Sequence, residues 1–245
     1  MVSGVYQIAG KNIRITSNYE DIHRRGRPFR TEEEPDWEVV IKEEDYRIER
    51  DRLASQNWPW AYKVTDERIE GVSALRKVSR LLLEEDTLMI HGSSVAVDGK
   101  AYLFSATSGT GKSTHARLWR ETFGDRAMMI NDDRPLLKIS GEQILVYGSP
   151  FNGKHELSSN CCAPLQGIAK LERGEENSIH RITPSEAWSK MVQHAFRPVD
   201  PEGTYKAMTL LEQILKRTPV WLLACNMSPE AAQLAYETMS KENSV

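Results

Sequence analysis

From residue 67 to 83 the apolar positions Ile69, Val72, Leu75, Val78 and Leu82 recur at steps of three and four. That spacing lines up one buried stripe on a helix. The period then changes: residues 88–97 and Lys100–Ser105 are largely apolar runs of strand length on either side of Asp98-Gly99. This dipeptide suits the positive φ angles of a tight turn, so the two strands are expected to pair antiparallel. Helical patterning returns over Lys112–Phe123 and stops near Gly124, and a short apolar strand at 127–130 leads to Asn131-Asp132-Asp133.

Further on, the runs 136–139 and 143–146 flank Ser140-Gly141-Glu142, and 167–171 and 178–182 flank Gly174-Glu175-Glu176-Asn177, which predicts two more hairpins. Thr183-Pro184-Ser185-Glu186 places a cap, a first-turn proline and a capping-box glutamate at the start of a helix running to about residue 195. Helices follow over 205–216 and 228–240, with Val220–Cys225 as an apolar strand between them. Residues 1–64 alternate short β-like runs (VYQIA, NIRIT, WEVVI, DYRIE) with charged stretches such as 30–35, and read as a small β-rich segment with exposed loops. In it, Trp58-Pro59-Trp60 is expected to pack against the main body. No repeat and no low-complexity linker divides the rest, so residues 65–245 read as one domain.

At 245 residues the chain can bury roughly 70–75% of its unfolded surface, enough to need no metal or disulfide staple. The net charge of −3 gives no general basic footprint, so a small molecule or a protein is the expected partner rather than a nucleic acid. The three cysteines, Cys161, Cys162 and Cys225, have no metal-ligand spacing. With no signal-like start and no apolar run of membrane-spanning length, the expected location is cytoplasmic, with no membrane partner.

The chemistry concentrates in the segment 104–120, FSATSGTGKSTHARLWR. Ala106 to Ser113 fits the phosphate-loop pattern G-x-x-x-x-G-K-[ST], except that Ala106 takes the first glycine's place. Ser108, Gly109, Thr110, Gly111 and Thr114 would wrap backbone N–H groups around phosphates at the positive end of the following helix. Lys112 would reach the terminal phosphates, and the Ser113 hydroxyl would ligate Mg²⁺. Such loops serve motors and switches as well as kinases, so the loop does not specify the reaction. Asp132-Asp133, one helix and one strand later, supplies two carboxylates, one able to hold the metal and one able to accept the proton of an attacking hydroxyl.

Taken together, Ile90-His91-Gly92, the Asp-Gly hairpin, SATSGTGKST and NDDRP resemble the catalytic domain of HPr kinase/phosphorylase and its small relatives, whose fold is shared with phosphoenolpyruvate carboxykinase. The resemblance runs from about residue 65 to 225 and is firmest from 88 to 138. It implies an α/β fold: a mixed β-sheet phosphate-loop domain of that type, here with a small β-rich N-terminal appendage. It also implies that His91 lies near the phosphates and that one of Asp132 and Asp133 acts as base while the other supports Mg²⁺, with Asp132 favoured as base and Asp133 as metal ligand. Arg134 could neutralise transferring phosphate. In the polar loop Gly148-Ser149-Pro150-Phe151-Asn152-Gly153-Lys154-His155, Lys154 or His155 could serve the γ-phosphate or the acceptor, where the family has an arginine-bearing segment. Carboxykinases of this type are about twice as long, which argues against that activity.

The resulting expectation is an ATP- and Mg²⁺-dependent phosphotransferase acting on a hydroxyl of a small molecule or of a peptide or protein serine. A nucleotide-binding module without chemistry, and a phosphorylase or pyrophosphate-dependent transferase of the same fold, stand as alternatives. The acceptor is unidentified, and a homo-oligomer is left open.

Overall fold

A computed structural model of the chain describes residues 1–55, 63–107 and 109–241. Its centre is the hairpin of β5 (Ser93–Val97) and β6 (Lys100–Ser105), antiparallel as expected, with Asp98 and Gly99 both at positive φ in the turn. On β6, Ala101 and Leu103 join one core while Tyr102 and Phe104 join another. A strand buried on both faces puts alternate residues into different layers.

The remaining elements in chain order are β1 (Val2–Ile8), β2 (Lys11–Ser17), α1 (Asp21–Arg25), β3 (Trp37–Val40), α2 (Glu43–Ser55), α3 (Asp66–Leu82) and β4 (Thr87–Met89). After β6 come α4 (Lys112–Phe123), β7 (Ala127–Asn131), β8 (Leu136–Ser140), β9 (Gln143–Tyr147), β10 (Cys162–Arg173) and β11 (Ser178–Arg181). The chain continues with α5 (Pro184–Met191), α6 (Pro201–Arg217), β12 (Val220–Cys225) and α7 (Pro229–Lys241). Strands β4 to β12 form a nine-stranded mixed sheet with β10 as its pivot. The start of β10 pairs antiparallel with β9, and its later part is parallel to β6 on one side and to β12 on the other. Because β5 is antiparallel to both β6 and β7, the strands β6, β7, β10 and β12 all run the same way and end on one edge.

Helices α5 and α6 cover one face through Ala187, Met191, Leu210 and Ile214. On the other face, α4 and α7 pack Trp119, Ala232 and Met239 against Phe104 and Trp221. A third core joins the three-stranded sheet β1-β2-β3 to α3: Ile8, Ile13 and Ile15 meet Ile69, Val78 and Leu82, and the cluster reaches Met89 and Phe151 of the main sheet's side.

Four sequence expectations are corrected. The run 88–97 is two strands, because the chain leaves the β4 line at Ile90-His91-Gly92: β4 pairs with β8, whereas β5 pairs with β6 and β7. DYRIE lies within the helix α2, where Tyr46 and Glu49 are buried one turn apart and Ile48 is exposed. Strands β10 and β11 form no hairpin, since β12 enters between them and takes both pairings. Helix α5 ends at Met191 rather than near 195, because the following residues return to the sheet, with Phe196 N–H donating to the Met89 carbonyl. The Trp58-Pro59-Trp60 expectation falls outside the described residues. Among the described residues no helix is long and apolar enough to cross a membrane.

Candidate functional site

Ligands of open α/β sheets gather at the carboxyl ends of the parallel strands, and the phosphate loop after β6 and the acidic pair after β7 both leave from that edge. Beyond β6, Gly109 and Gly111 adopt φ of +79° and +121°, and a Cβ on either would meet nothing within 4 Å. The loop thus holds left-handed backbone for steric reasons intrinsic to the chain and leaves open space in front of it. Ala106, where the common pattern has glycine, is fully buried, and its carbonyl accepts a 3.1 Å hydrogen bond from Lys112 Nζ. Burial lowers the proton affinity of Lys112, and the charge of Asp133 opposes that shift. Thr107 and Thr110 hydroxyls meet at 2.7 Å across the loop. Ser113 is exposed and Thr114 half-buried at the start of α4, while Ser108 lies outside the described residues.

At the end of β7, Asn131 is fully buried and acts as a frame. Its Oδ1 accepts from the N–H groups of Asp133 and Arg134 at 2.9 and 2.6 Å, and its Nδ2 donates to the Ser149 carbonyl at 3.0 Å. These bonds tie the acidic turn to the loop after β9. Asp132 is buried there with Oδ1 accepting from Gly153 N–H at 2.7 Å. A Cβ on Gly153 would lie 3.1 Å from Asp132 Oδ2, so the close approach depends on glycine. Burial, assisted by the neighbouring Asp133 charge, raises the Asp132 pKa above the ordinary carboxylate value.

Asp133 behaves oppositely. Burial pushes its pKa up, but His91, Arg134 and Lys112 together outweigh burial and hold it below the ordinary value. His91 Nε2 lies 3.4 Å from Asp133 Oδ1, and Arg134 Nε lies 3.6 Å from Oδ2. His91 comes from the break between β4 and β5, where Gly92 N–H donates to the Asp133 carbonyl at 3.1 Å. Lys154 and His155 are exposed, and from their loop it is Gly153 that touches the acidic pair; His155 acts on Asp132 through its charge.

Several residues at the site were not singled out from the sequence. Lys170 on β10 is buried with Nζ 2.7 Å from His194 Nε2. Burial first, then the nearby Lys112 and Lys190, lowers the Lys170 pKa to about 8. Burial first, then the charges of Lys170, His91, Lys112 and Arg134, lowers His194 to about 4, and its carbonyl accepts from His91 N–H at 2.8 Å. Arg173, at the end of β10, donates to the Gly109 carbonyl at 2.8 Å. Beside it a cavity of about 480 Å³ is bounded by the loop glycines, Leu118, Leu171 and Met227. Arg25 of α1 donates to the carbonyls of Asn152 and Gly153, so the N-terminal segment braces the loop that holds Asp132. No local pattern marks these residues, because their neighbours are distant in sequence.

No cluster of three or more His, Cys, Asp or Glu able to hold a metal exists among the described residues. Mg²⁺ does not need one, since it is commonly held by one or two protein oxygens together with phosphates and water. Ser113 and a carboxylate of the pair fit that donor set, and the open glycine loop with its buried lysine fits a polyphosphate.

Compared by sequence, the chain matches no protein family and no curated protein. Among solved structures it is similar to the Hpr(Ser) kinase/phosphatase from Coxiella burnetii, with 12% identity and a TM-score of 0.36 over 63% of this chain and 94% of that one.

Proposed function

We propose that the chain is an ATP- and Mg²⁺-dependent phosphotransferase that transfers a phosphoryl group to a hydroxyl. The observation that carries this reading is that two segments separated by a helix and a strand meet at one edge of the sheet: the glycine loop with its buried Lys112 follows β6, and the Asp132-Asp133 turn follows β7. A cation on a phosphate loop facing a carboxylate that remains ionised is the pairing that phosphoryl transfer to a hydroxyl requires.

Lys112 and the loop N–H groups hold the terminal phosphates and stabilise their charge, and the cavity beside Leu118 and Met227 is of a size to take the nucleoside. Ser113 and one carboxylate of the pair would hold Mg²⁺, which would supply charge neutralisation on the phosphates. One aspartate takes the acceptor's proton. The sequence assigns that task to Asp132 and the metal to Asp133. One observation favours the exchanged assignment: Asp133 is the carboxylate in contact with His91, with His91 Nε2 3.4 Å from its Oδ1.

The test combines calorimetry with transfer from labelled ATP to a panel of hydroxyl acceptors. Lys112→Ala is expected to weaken ATP binding about tenfold or more in a folded protein, because charge-assisted phosphate contacts are worth roughly 1.5–3 kcal/mol. Tight ATP binding by the wild type with no transfer to any acceptor would instead leave a binding module.

A further inference from the structure

Against His91, a cavity of about 630 Å³ is lined by His91, His194, Arg134, Arg52, Arg76 and Arg197 among others. No Asp or Glu belongs to its described lining. Two of these cations have partners: Arg76 faces Glu49 at 2.6 Å, and Arg134 faces Asp133 at 3.6 Å. Arg52 carries a buried Nη1 with no hydrogen-bond partner, and Arg197 stands exposed with no ion pair among the described residues. Burial and then the charge of Arg76 act against the charged form of Arg52, and Glu49 only partly offsets them.

Guanidinium groups so arranged are costly unless an anion joins them, and their planar donors match carboxylate and phosphate oxygens. The adjoining cavity of about 650 Å³ shares Arg52 and Arg76 but also includes Glu38, Asp45, Glu49 and Asp200, so its lining is of mixed charge where that of the cavity beside His91 is not.

We propose that the cavity beside His91 is the acceptor site and that the acceptor is a small hydroxy compound bearing a carboxylate or phosphate group, held by Arg52, Arg76 and Arg197. This rests on the phosphotransferase reading. Its anionic group lies on the arginines and its hydroxyl turns toward His91 and the acidic pair. In the transfer, the acceptor oxygen bonds to the γ-phosphorus as the bond to the β–γ bridging oxygen breaks. ADP leaves with that electron pair, and the hydroxyl proton passes to a carboxylate of the pair. The cavity volume suits a small ligand, and its unbalanced positive charge draws the anion toward an already anionic nucleotide.

The experiment measures transfer from labelled ATP to glycerate, glycerol 3-phosphate, uncharged glycerol and a neutral serine peptide, using the full chain. Labelling of glycerate or glycerol 3-phosphate in strong preference to glycerol and the peptide is expected, and which acid is labelled separates carboxylate from phosphate recognition. Arg197→Ala combined with Arg52→Gln is expected to raise the acid's KM about tenfold or more, with the KM for ATP unchanged. Equal labelling of glycerol or the peptide, or an unaltered KM in the double variant, overturns the proposal. If nothing is labelled, binding decides. With a non-hydrolysable ATP analogue filling the loop, calorimetry showing that either acid binds the wild type and not the double variant sustains the anion site and sinks the phosphotransferase reading alone. Absence of binding to the wild type overturns the site itself.

Discussion

Asp132 and Asp133 are adjacent in the chain yet have opposite shifts in proton affinity, because burial dominates one and His91, Arg134 and Lys112 dominate the other. Their amides should therefore differ. With Asp133 as base, Asp133→Asn is expected to cut transfer by roughly 10²–10⁴-fold at an unchanged Mg²⁺ requirement, whereas Asp132→Asn raises the Mg²⁺ concentration needed. Mg²⁺ titrations of the two variants check this, and the phenotypes exchange if the roles do. Lys170 offers a second residue-scale prediction. Its pKa of about 8 means that it begins to lose its proton just above neutrality, and an anion beside Lys112 favours the charged form. As pH rises through 8 toward 9, phosphate binding then requires proton uptake, so ATP affinity falls. Calorimetry should find that slope in the wild type and a weaker, flatter dependence in Lys170→Met.

At the scale of elements, the acidic turn at the end of β7 is positioned by the loop after β9, and that loop by α1. Asn131 fastens the turn to Ser149, Gly153 N–H holds Asp132, and Arg25 holds the Gly153 carbonyl. Gly153→Ala would place a methyl 3.1–3.2 Å from both Asp132 oxygens, closer than a neighbour tolerates without shifting. The expected outcome is a fall of about 10- to 100-fold in kcat with little change in the KM for ATP or in the unfolding midpoint, read from steady-state kinetics and thermal melts. A large drop in the midpoint would show that the loop adjusts as part of the fold rather than of the site.

The whole molecule carries a pH signature in its buried imidazoles. His115, nearly inaccessible on α4, accepts a 3.0 Å bond from Trp119 Nε1 and is held by burial at a pKa of about 4. His194 is likewise near 4. Unfolded imidazoles take up protons near pH 6.5, so between 6.5 and 4 the unfolded state binds more protons than the folded one. Stability is therefore full above about 6.5 and declines as pH falls toward 4. Urea unfolding at pH 7 and pH 5 should differ by about 3–4 kcal/mol from these two groups together. His115→Gln, which keeps an acceptor for Trp119, should reduce the difference by about half.

What the sequence by itself determined is short in range: the stripe of α3, the capping box of Thr183 and Glu186, the Asp98-Gly99 hairpin, the glycines of the phosphate loop and the boundaries of α4 and β12. Each follows from periodicity or from the backbone freedom of one or two residues. Even there, α6 begins at Pro201, capped by Asp200 accepting from Gly203 N–H, and not at 205. Only the tertiary structure decided that β12 separates β10 from β11, that DYRIE turns as a helix against α3, and that the chain breaks at His91 to bring it to Asp133. It also decided the company of Lys170, His194, Arg52 and Arg197. Strand neighbours are selected by which edges remain unpaired once the long β10 is in place. Charge environments are selected by burial among residues far apart in sequence, and neither leaves a mark on the local pattern.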